Sequence, residues 1–487
     1  GLASFSLQTS VGPIGWRSGD HGDADHTEWV RIDLGAEQEI DLIALVPALA
    51  RGGYNAYETD AFPLRFQIIA GTEHDVEGKV IASFSEQDAV TPRIAPLCIP
   101  CPRTRASWIK LEATRLGVRS WDGRYVLQLA EMMVFRDQEN IALGCPLKTS
   151  SDDNYNQGAR QTPFLVDGAL PYLMHSPGKK TTAYFTRLEE GTVANFTVDL
   201  GGVFPVNRLR MHSMDVSDTV PQANRANFAF PQHLILEGAL QPDFADARVL
   251  CEYVQKSMYD VSSIVQRRFT ELPCRYLRFS VPAADFVDSA EIDTRVDLLG
   301  FAELEVFAGG RNVLAGCEIS ADFDDSSAHN TPAFLTDGAN AYGSIIDTRD
   351  WIEQLALRHD LETERPQVQA SLDGLYAKQE QQFTLLKNLS FLIGGALAIV
   401  ILLSHIIRLR QMSRLRQRLA ADLHDQVGAN LHAIGLLSDI AREEALMLAP
   451  TEEQAPLLSA VGEIRDTTER TAASVRHCSD TLEPHSL

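Results

Sequence analysis

The sequence "WVRIDLGAEQEIDLIALVP" at residues 29–47 has a pattern that returns as "NFTVDLGGVFPVNRLRMHS" at residues 195–213, and this repeat indicates the fold of most of the chain. The match places Asp33 on Asp199 and Gly35 on Gly201. Apolar and polar side chains alternate before this shared D-L-G turn, which is the pattern of a β-strand with one buried face. The two stretches therefore predict equivalent strands in two copies of one β-domain.

Three further pairs of segments keep the same order and support the repeat. They are "FPLRFQIIAG" with "FPQHLILEGA", "SWIKLEATRL" with "RYLRFSVPAA", and "LAEMMVF" with "FAELEVF". Each is a short alternating segment bounded by turn-forming residues, and few segments between them have a helical period. We therefore expect two antiparallel β-sandwich domains, at residues 1–137 and 138–310.

A shorter match extends the repeat beyond the second domain. "NIALGC" at 140–145 recurs as "NVLAGC" at 312–317, and "PFLVDG" at 163–168 recurs as "AFLTDG" at 333–338. This last copy stops near Ile346 and is too short to form a sandwich. We therefore expect a partial third repeat at 311–350 that packs against the second domain or joins it to the next segment of the chain. Its counterpart in the first copy would precede Gly1, which predicts truncation at the front.

A transmembrane helix is predicted from "LSFLIGGALAIVILLSHII" at 389–407, which contains no Asp, Glu, Lys or Arg. As a helix it would be roughly 28 Å long, close to the thickness of a bilayer core. Five arginines follow it, Arg408, Arg410, Arg414, Arg416 and Arg418. By the positive-inside rule the C-terminal side is cytoplasmic. The segment 351–388 before it predicts a helical linker, although Pro366 and Gly374 disfavour one continuous helix.

The composition excludes some functions. A formal net charge of −23 argues against a nucleic-acid partner, since phosphate binding depends on clustered basic residues. The seven cysteines are too sparse for a disulfide scaffold. Cys98 and Cys101 have CxxC spacing, but no second CxxC completes a zinc site, so buried or locally bridged cysteines are expected. No metal site is predicted.

Residues 408–487 predict a dimeric helical hairpin. Two runs carry apolar or small residues at alternating spacings of three and four: Ala420, Leu423, Val427, Asn430, Ile434, Leu437 and Ala441, then Leu457, Val461, Ile464, Thr468, Thr471, Val475, Cys478 and Leu482. Two antiparallel helices with one seam each cannot bury both faces alone. A homodimeric four-helix bundle is therefore expected.

His424 and Asp425 lie beside the first seam, at the predicted margin of the core. A neutral imidazole there is a nucleophile near physiological pH, and a neighbouring carboxylate can hold the proton of the other ring nitrogen. Phosphoryl transfer needs little more from this partner, because another domain can supply the metal and the charge stabilisation.

The first 310 residues resemble the discoidin, or coagulation factor 5/8 type C, family, which has a galactose-binding-like jelly-roll sandwich. "WVRIDLG", "WIKLEATRL", "LAEMMVF" and "FAELEVF" carry this resemblance. It implies binding of sugars or similar ligands through loops at one end of the sandwich. Aromatic residues in predicted loops are the candidates for stacking on a sugar ring, with capping of the sandwich as the alternative: Trp16, Tyr54, Tyr57 and Trp121.

The passage "LAADLHDQVGANLHAIGLLSDIA" resembles the dimerisation and phosphoacceptor domain of sensor histidine kinases with an L-H-D-x-[LV]-G core. The resemblance implies that His424 is the phosphoacceptor, that Asp425 is the acid/base residue, and that phosphate passes to a response regulator receiver domain. It also implies ATP and Mg²⁺ bound by a catalytic domain, and no such domain is recognised after residue 408. Ala429 stands where many relatives have Gln or His, which puts phosphatase activity in doubt.

The prediction is thus a single-pass sensor histidine kinase of the bacterial inner membrane that binds an extracytoplasmic carbohydrate or similar ligand. The chain is expected either to be cut or to have its catalytic domain on another chain. Two alternatives stay open: a membrane-anchored glycan-binding or adhesion protein whose coiled coil only dimerises, and a phosphotransfer scaffold served by a separate kinase.

Overall fold

The structure is a computed structural model of all 487 residues. It describes the whole chain except residues 8–9, 12–13, 52–56, 89, 154–157, 189–191, 215–218, 221–229, 257–258, 260–261, 283–296, 324–329, 448–453 and 483–487. The chain forms two compact units, residues 1–366 and 367–487. The first unit holds the β-domains, and the second is helical.

The first sandwich is built on seven strands: β1 Glu28–Pro47, β2 Arg65–Gly71, β3 Lys79–Phe84, β4 Leu97–Arg115, β5 Gln128–Arg136, β6 Glu139–Asn140 and β7 Leu147–Thr149. They are hydrogen-bonded in the order β6-β5-β1-β4-β2-β3, and β7 pairs with β1. All the pairs are antiparallel.

The second sandwich repeats this plan with seven further strands: β8 Val193–His212, β9 His233–Ala239, β10 Arg248–Val254, β11 Ile264–Pro282, β12 Glu303–Ala308, β13 Arg311–Asn312 and β14 Ile319–Ala321. Their order is β10-β9-β11-β8-β12-β13, and β14 pairs with β8. The two orders are the same strand for strand, which confirms the predicted repeat and the β-sandwich fold class.

Short strands and turns of 3₁₀ helix complete the first unit. The strands are Ser4–Leu7, Ser10–Val11, Trp16–Arg17, Leu49–Arg51, Tyr57–Thr59, Gly117–Val118, Tyr125–Val126, Tyr172–His175, Tyr184–Leu188, Thr219–Val220, Asp297–Phe301, Ala339–Asn340 and Gly343–Ser344. The 3₁₀ turns are Glu86–Asp88, Thr162–Leu165 and Pro332–Leu335.

The D-L-G turn is the point where the long strands change sheets. The pairing of β1 with β4 shifts register between Asp33 and Gln38, and that of β8 with β11 shifts between Asp199 and Phe204. Gly35 and Gly201 have φ of 78° and 73°, which a glycine adopts without strain. Strands that cross between layers at such irregularities form the corners of a sandwich. The apolar core lies between the two halves of each long strand.

The domain boundaries differ from those predicted. The segment 139–149 pairs with β5 and β1, and Ile141 and Ala142 lie in the core of the first sandwich. The segment 311–321 likewise completes the second sandwich, with Leu314 and Ile319 in its core. The expected partial third repeat is therefore the closing part of the second domain, and its counterpart in the first copy is present at 139–168.

Three helices follow: α1 Thr348–Asp422, α2 Gly428–Met447 and α3 Gln454–Leu482. The helix α1 continues through Pro366 and Gly374, so the expected interruption does not occur. The helical run contains an 18-residue window with a mean hydropathy of 2.4, none of it buried, and is long and apolar enough to cross a membrane.

The cysteines match the expectation only in part, because Cys101 and Cys274 are buried, four others are partly buried and Cys478 is exposed. All seven are free thiols. Burial is the main cause that raises the pKa of Cys98 and Cys101 to about 12, so these thiols stay protonated at neutral pH. A protonated, buried thiol is a poor nucleophile and a poor metal ligand.

Candidate functional site

The predicted phosphoacceptor lies where the backbone changes its helical period. Between α1 and α2, residues Leu423–Val427 form one turn of π-helix, and the backbone N–H of Gly428 donates to the carbonyl of Leu423. Such single wide turns inside helices occur frequently at functional sites. The L-H-D-Q-V segment is therefore distinct from the regular helices on both sides of it.

His424 and Asp425 form a pair that is open to solvent. The imidazole Nδ1 lies 3.3 Å from Asp425 Oδ1, and the two side chains are 71% and 81% exposed. The sequence placed His424 at the margin of the core and partly open to solvent, and in the single chain its side chain is mostly exposed. A donor molecule can therefore reach the imidazole without movement of the hairpin.

A groove of about 680 Å³ runs beside this pair, between the two helices of the hairpin. His424, Gly428 and His432 line one side, and Arg465 and Arg476 line the other. Asp439 and Glu469 also line the groove, and Arg465 pairs with both of them. The Arg476 guanidinium is the group in the groove that suits an anionic phosphoryl group.

Polar contacts hold the hairpin closed around the groove. Ser479 Oγ donates to the carbonyl of Ala420 at 3.3 Å, and Gln454 Nε2 donates to the carbonyl of Ala445 at 2.8 Å. An ion pair joins Arg465 to Asp439 near the middle. These contacts fix the antiparallel register of α3 against the end of α1 and α2.

Much of the predicted seam lies outside the contact between α2 and α3. The contact uses small residues such as Gly435, Ser438 and Ala445, of which the last two are buried. The seam residues Ile434 and Leu437 are 43% and 65% exposed. Each lies one position before a residue of that contact. A second copy of the hairpin would have to cover this apolar stripe.

The candidate ligand-binding residues of the first sandwich do not lie together. Trp16 is fully buried in the core, and its Nε1 donates to Asp152 Oδ1 at 3.1 Å, so its prediction as a loop residue for sugar stacking is wrong. Tyr57 is half-buried in a short strand and packs against a second apolar cluster. Tyr54 lies outside the described residues.

Trp121 is the candidate that the structure presents to solvent. Its side chain is 67% exposed, and the Arg119 guanidinium lies 4.5 Å from its ring centroid. Arg119 Nε also donates to Asp122 Oδ1 at 2.8 Å, and this hydrogen bond is the main cause that lowers the pKa of Asp122 to about 2. The stacked guanidinium holds the indole in place, which leaves an ordered aromatic face beside a charged pair.

The start of α1 is packed into the first unit, which the helical pattern of this segment did not predict. Trp351, Ile352 and Leu355 are almost fully buried against Leu42, Ala44 and Val46 of β1 and their neighbours. The signal was present in "LIALVP" at 42–47, which is continuously apolar where a half-buried strand would alternate. Both faces of this half of β1 are buried, one by the sandwich core and one by the helix.

Ion pairs add to this attachment. Arg349 Nη1 donates to both carboxylate oxygens of Asp41 at 2.9 Å, and Arg93 Nη1 donates to Asp360 Oδ1 at 2.9 Å. From the second sandwich, buried Arg210 donates to Thr348 Oγ1 at 2.9 Å. The first turns of α1 are thus held by both sandwiches.

A polar cleft of about 820 Å³ opens beside this attachment. Arg136 and Glu139 come from the first sandwich, Arg311 from the equivalent turn of the second, and Asp347 and Asp350 from the start of α1. Burial is the main cause that raises the pKa of Asp347. A ligand in this cleft would contact both sandwiches and the first turn of the helix.

Residues 416–487 match the family model described as Histidine kinase. This confirms the predicted family of the hairpin, which is a histidine kinase dimerisation and phosphoacceptor domain. No curated protein matches the chain.

Among solved structures, the chain is similar to carbohydrate-binding modules. CBM32-3 of a Clostridium perfringens family 31 glycoside hydrolase is 13% identical over 25% of this chain and 71% of its own, with a TM-score of 0.18. The CBM32-1 and CBM32-2 domains of Clostridium perfringens ZmpB are 10% identical over 60% and 85%, with a TM-score of 0.19. A fucolectin from striped bass (Morone saxatilis) serum is 12% identical over 59% and 83%, with a TM-score of 0.16. At these TM-scores the likenesses carry no argument, and the sandwich assignment rests on the strand pairing of this chain.

Proposed function

We propose that the chain is the sensing and phosphoacceptor part of a membrane histidine kinase of a two-component system. The observation that carries the proposal is the exposed His424–Asp425 pair on a helical hairpin whose sequence matches the histidine kinase family. In this proposal, phosphate from ATP is transferred to His424 and then to an aspartate of a response regulator.

The local geometry supports nucleophilic attack by His424. Asp425 lies next to Nδ1, so it can accept the N–H of that nitrogen and leave the lone pair of Nε2 for the γ-phosphorus. The Nε2–P bond forms as the bond from phosphorus to the ADP oxygen breaks. Arg476, across the groove, would attract the anionic phosphoryl group. ATP and Mg²⁺ would be held by a catalytic domain that docks on this hairpin.

Transfer to the regulator would use the same exposed imidazole. The residue four positions after Asp425 is Ala429, which lines the groove and has no polar atom in its side chain to position water. We therefore propose that the protein acts as a phosphate donor to its regulator and is a weak phosphatase.

The input side of the proposal rests on the attachment of α1. This one helix begins among the sandwiches and contains both the apolar segment 389–407 and the arginines after it. We propose that it crosses the bacterial inner membrane, with the sandwiches outside and the hairpin in the cytoplasm. A carbohydrate that stacks on Trp121 is the proposed ligand, because an ordered, exposed indole beside a charged pair suits the apolar face and hydroxyl groups of a sugar.

The test is ATP-dependent labelling of the protein expressed from the full reading frame that encodes this chain, reconstituted in nanodiscs. Wild type should acquire an acid-labile, base-stable phosphate, and His424→Gln should lose it. His432→Gln, which alters the second imidazole of the same groove, is the matched control and should keep it. Undiminished labelling of His424→Gln would refute the assignment. Labelling that requires a second, separately added kinase would favour the phosphotransfer scaffold.

A further inference from the structure

The loop before β1 brings together three side chains that sequence spacing did not connect. His21, His26 and Glu28 each offer one ligand atom, and these three atoms lie within 4.8 Å of one another. His21 Nε2 is 2.6 Å from Glu28 Oε1, and the two imidazole rings are stacked with centroids 3.6 Å apart. Two imidazoles and one carboxylate form a donor set typical of zinc and other first-row transition metals.

We infer that the first sandwich binds a first-row divalent transition metal ion, of which Zn²⁺ is the representative, through His21, His26 and Glu28. This site is independent of the proposed kinase function. Zinc–nitrogen and zinc–oxygen bonds of about 2.0–2.2 Å place neighbouring ligand atoms roughly 3.3 Å apart in a tetrahedral site. The three ligand atoms, all within 4.8 Å of one another, lie near that spacing.

Two of the three ligands are held in place by the fold. The backbone of His21 exchanges two hydrogen bonds with Tyr125, at 2.9 and 3.0 Å. Glu28 is 2% exposed, and Ser151 Oγ donates to its Oε1 at 2.8 Å while Ser150 Oγ donates to Oε2. Such outer hydrogen bonds to a carboxylate are typical of metal sites, where they fix the orientation of the ligand.

The third ligand distinguishes a metal site from a simple ion pair. His26 is exposed and its ring lies over that of His21, so the pair of His21 with Glu28 does not need it. The fold does not need Glu28 either. In the second sandwich the equivalent position at the start of the long strand is Ala194, which pairs with Val281 as Glu28 pairs with Ala113.

The donor set, and not the charge of the loop, selects the ion. Of the aspartates in the same segment, Asp20 pairs with Arg124 and Asp25 with Arg115. Two imidazole nitrogens in the donor set favour Zn²⁺, Cu²⁺ or Ni²⁺ over Ca²⁺ and Mg²⁺, which take oxygen ligands.

The test is Zn²⁺ binding by the untagged full chain in nanodiscs, measured by competition with a chromophoric chelator. Wild type should bind one Zn²⁺ ion. His26→Ala should not bind it, or should bind it at least about 100-fold more weakly, because even outer-sphere partners contribute about 10- to 100-fold to metal affinity. The matched control is His233→Ala, because His233 pairs with Glu252 at 2.8 Å without a second imidazole in the cluster. It should bind Zn²⁺ like wild type.

A second measurement identifies the ligands. With one equivalent of Cu²⁺, electron paramagnetic resonance should show two nitrogen ligands in wild type and one in His26→Ala. Equal Zn²⁺ binding by wild type and His26→Ala, or no wild-type site with micromolar affinity or better, would show that His21 and Glu28 form only a structural ion pair and would overturn the inference.

Discussion

The prediction that tests the energetics of the fold most directly is Glu303→Gln in β12. Glu303 is fully buried, and its Oε1 accepts the backbone N–H of Gly338 at 3.0 Å. Its Oε2 has no hydrogen-bond partner among the residues that the structure describes. Burial, and then the charge of nearby Glu305, raises the pKa of Glu303 from 4.5 to about 9. The side chain is therefore a neutral acid at pH 7.5 in the folded protein.

The magnitude can be worked out from proton linkage. At pH 7.5 the unfolded chain has an ionised Glu303, so folding must take up a proton at a cost of about 1.36 kcal/mol for each pH unit above 4.5, or about 4 kcal/mol. Glutamine keeps the shape and the acceptor for Gly338 without this cost. We expect Glu303→Gln to stabilise the second sandwich by about 2–4 kcal/mol at pH 7.5, which is a rise of about 2–4 °C in Tm for each kcal/mol.

The pH dependence fixes the sign. A carboxyl group with a raised folded-state pKa contributes its full stability below pH 4.5 and loses it as the pH rises toward about 9. The gain from Glu303→Gln should therefore shrink as the pH falls from 7.5 and approach zero near pH 4.5. The assay is differential scanning calorimetry of the full chain between pH 5 and 8.5, with hydrogen exchange of residues 303–308 identifying the transition of the second sandwich.

The matched control lies two residues further along the same strand. Glu305 is also buried, but the charge of Arg210 and the hydrogen bond with His212 outweigh the effect of burial and lower its pKa to about 2. Glu305→Gln leaves Arg210 buried without its partner and should destabilise the sandwich by about 3–5 kcal/mol. If Glu303→Gln also destabilised it by more than about 1 kcal/mol at pH 7.5, or if its effect did not change with pH, the assignment of a neutral Glu303 would be refuted.

Three further predictions concern the helix, the dimer and the ligand. Trp351→Ala should detach the start of α1, because it removes about 3–5 kcal/mol of packing free energy. Hydrogen exchange of residues 348–360 should become faster, and unchanged exchange there would contradict the packing described. Leu437→Glu should convert the expected homodimer into monomers in mass photometry of nanodiscs, because it places a charge in the exposed apolar stripe. Trp121→Ala should leave Tm unchanged, since the side chain is 67% exposed, and should abolish binding in a glycan array; retained binding would exclude Trp121 as the sugar platform.

The sequence predicted the repeat because each sandwich strand alternates on its own, and the long apolar helix because no soluble core needs nineteen such residues in a row. It did not predict the domain boundaries. A tandem repeat shows its period but not its starting point, and the segments at 140–145 and 312–317 were therefore assigned to the domain after them. Only the pairing of β7 with β1 and of β14 with β8 shows that these segments close the domain before them.

The binding residues were harder to predict for a different reason. Trp16 lies in "IGWRSG", where flanking glycines indicate a loop, yet the indole fills the core because Gly15, with φ of 82°, turns the chain under β5. The residues around a position indicate its backbone conformation, but they do not indicate the direction in which its side chain points. Trp121 has a similar context, and its exposure is decided by Arg119 and Asp122, a partner pair that only the folded loop brings together.

His424 shows how much a local motif determines alone. The His-Asp dipeptide and the heptads around it predicted the site, but only part of the predicted seam, including Ala420 and Thr468, is buried within the single hairpin. In the structure the contact between α2 and α3 lies one residue further along the helix, at Gly435 and Ser438, while Ile434 and Leu437 stay exposed. The first stripe packs within the chain, and a second copy of the hairpin would cover the exposed one. A four-helix bundle needs both, so the exposed stripe is the strongest support in this structure for the homodimer.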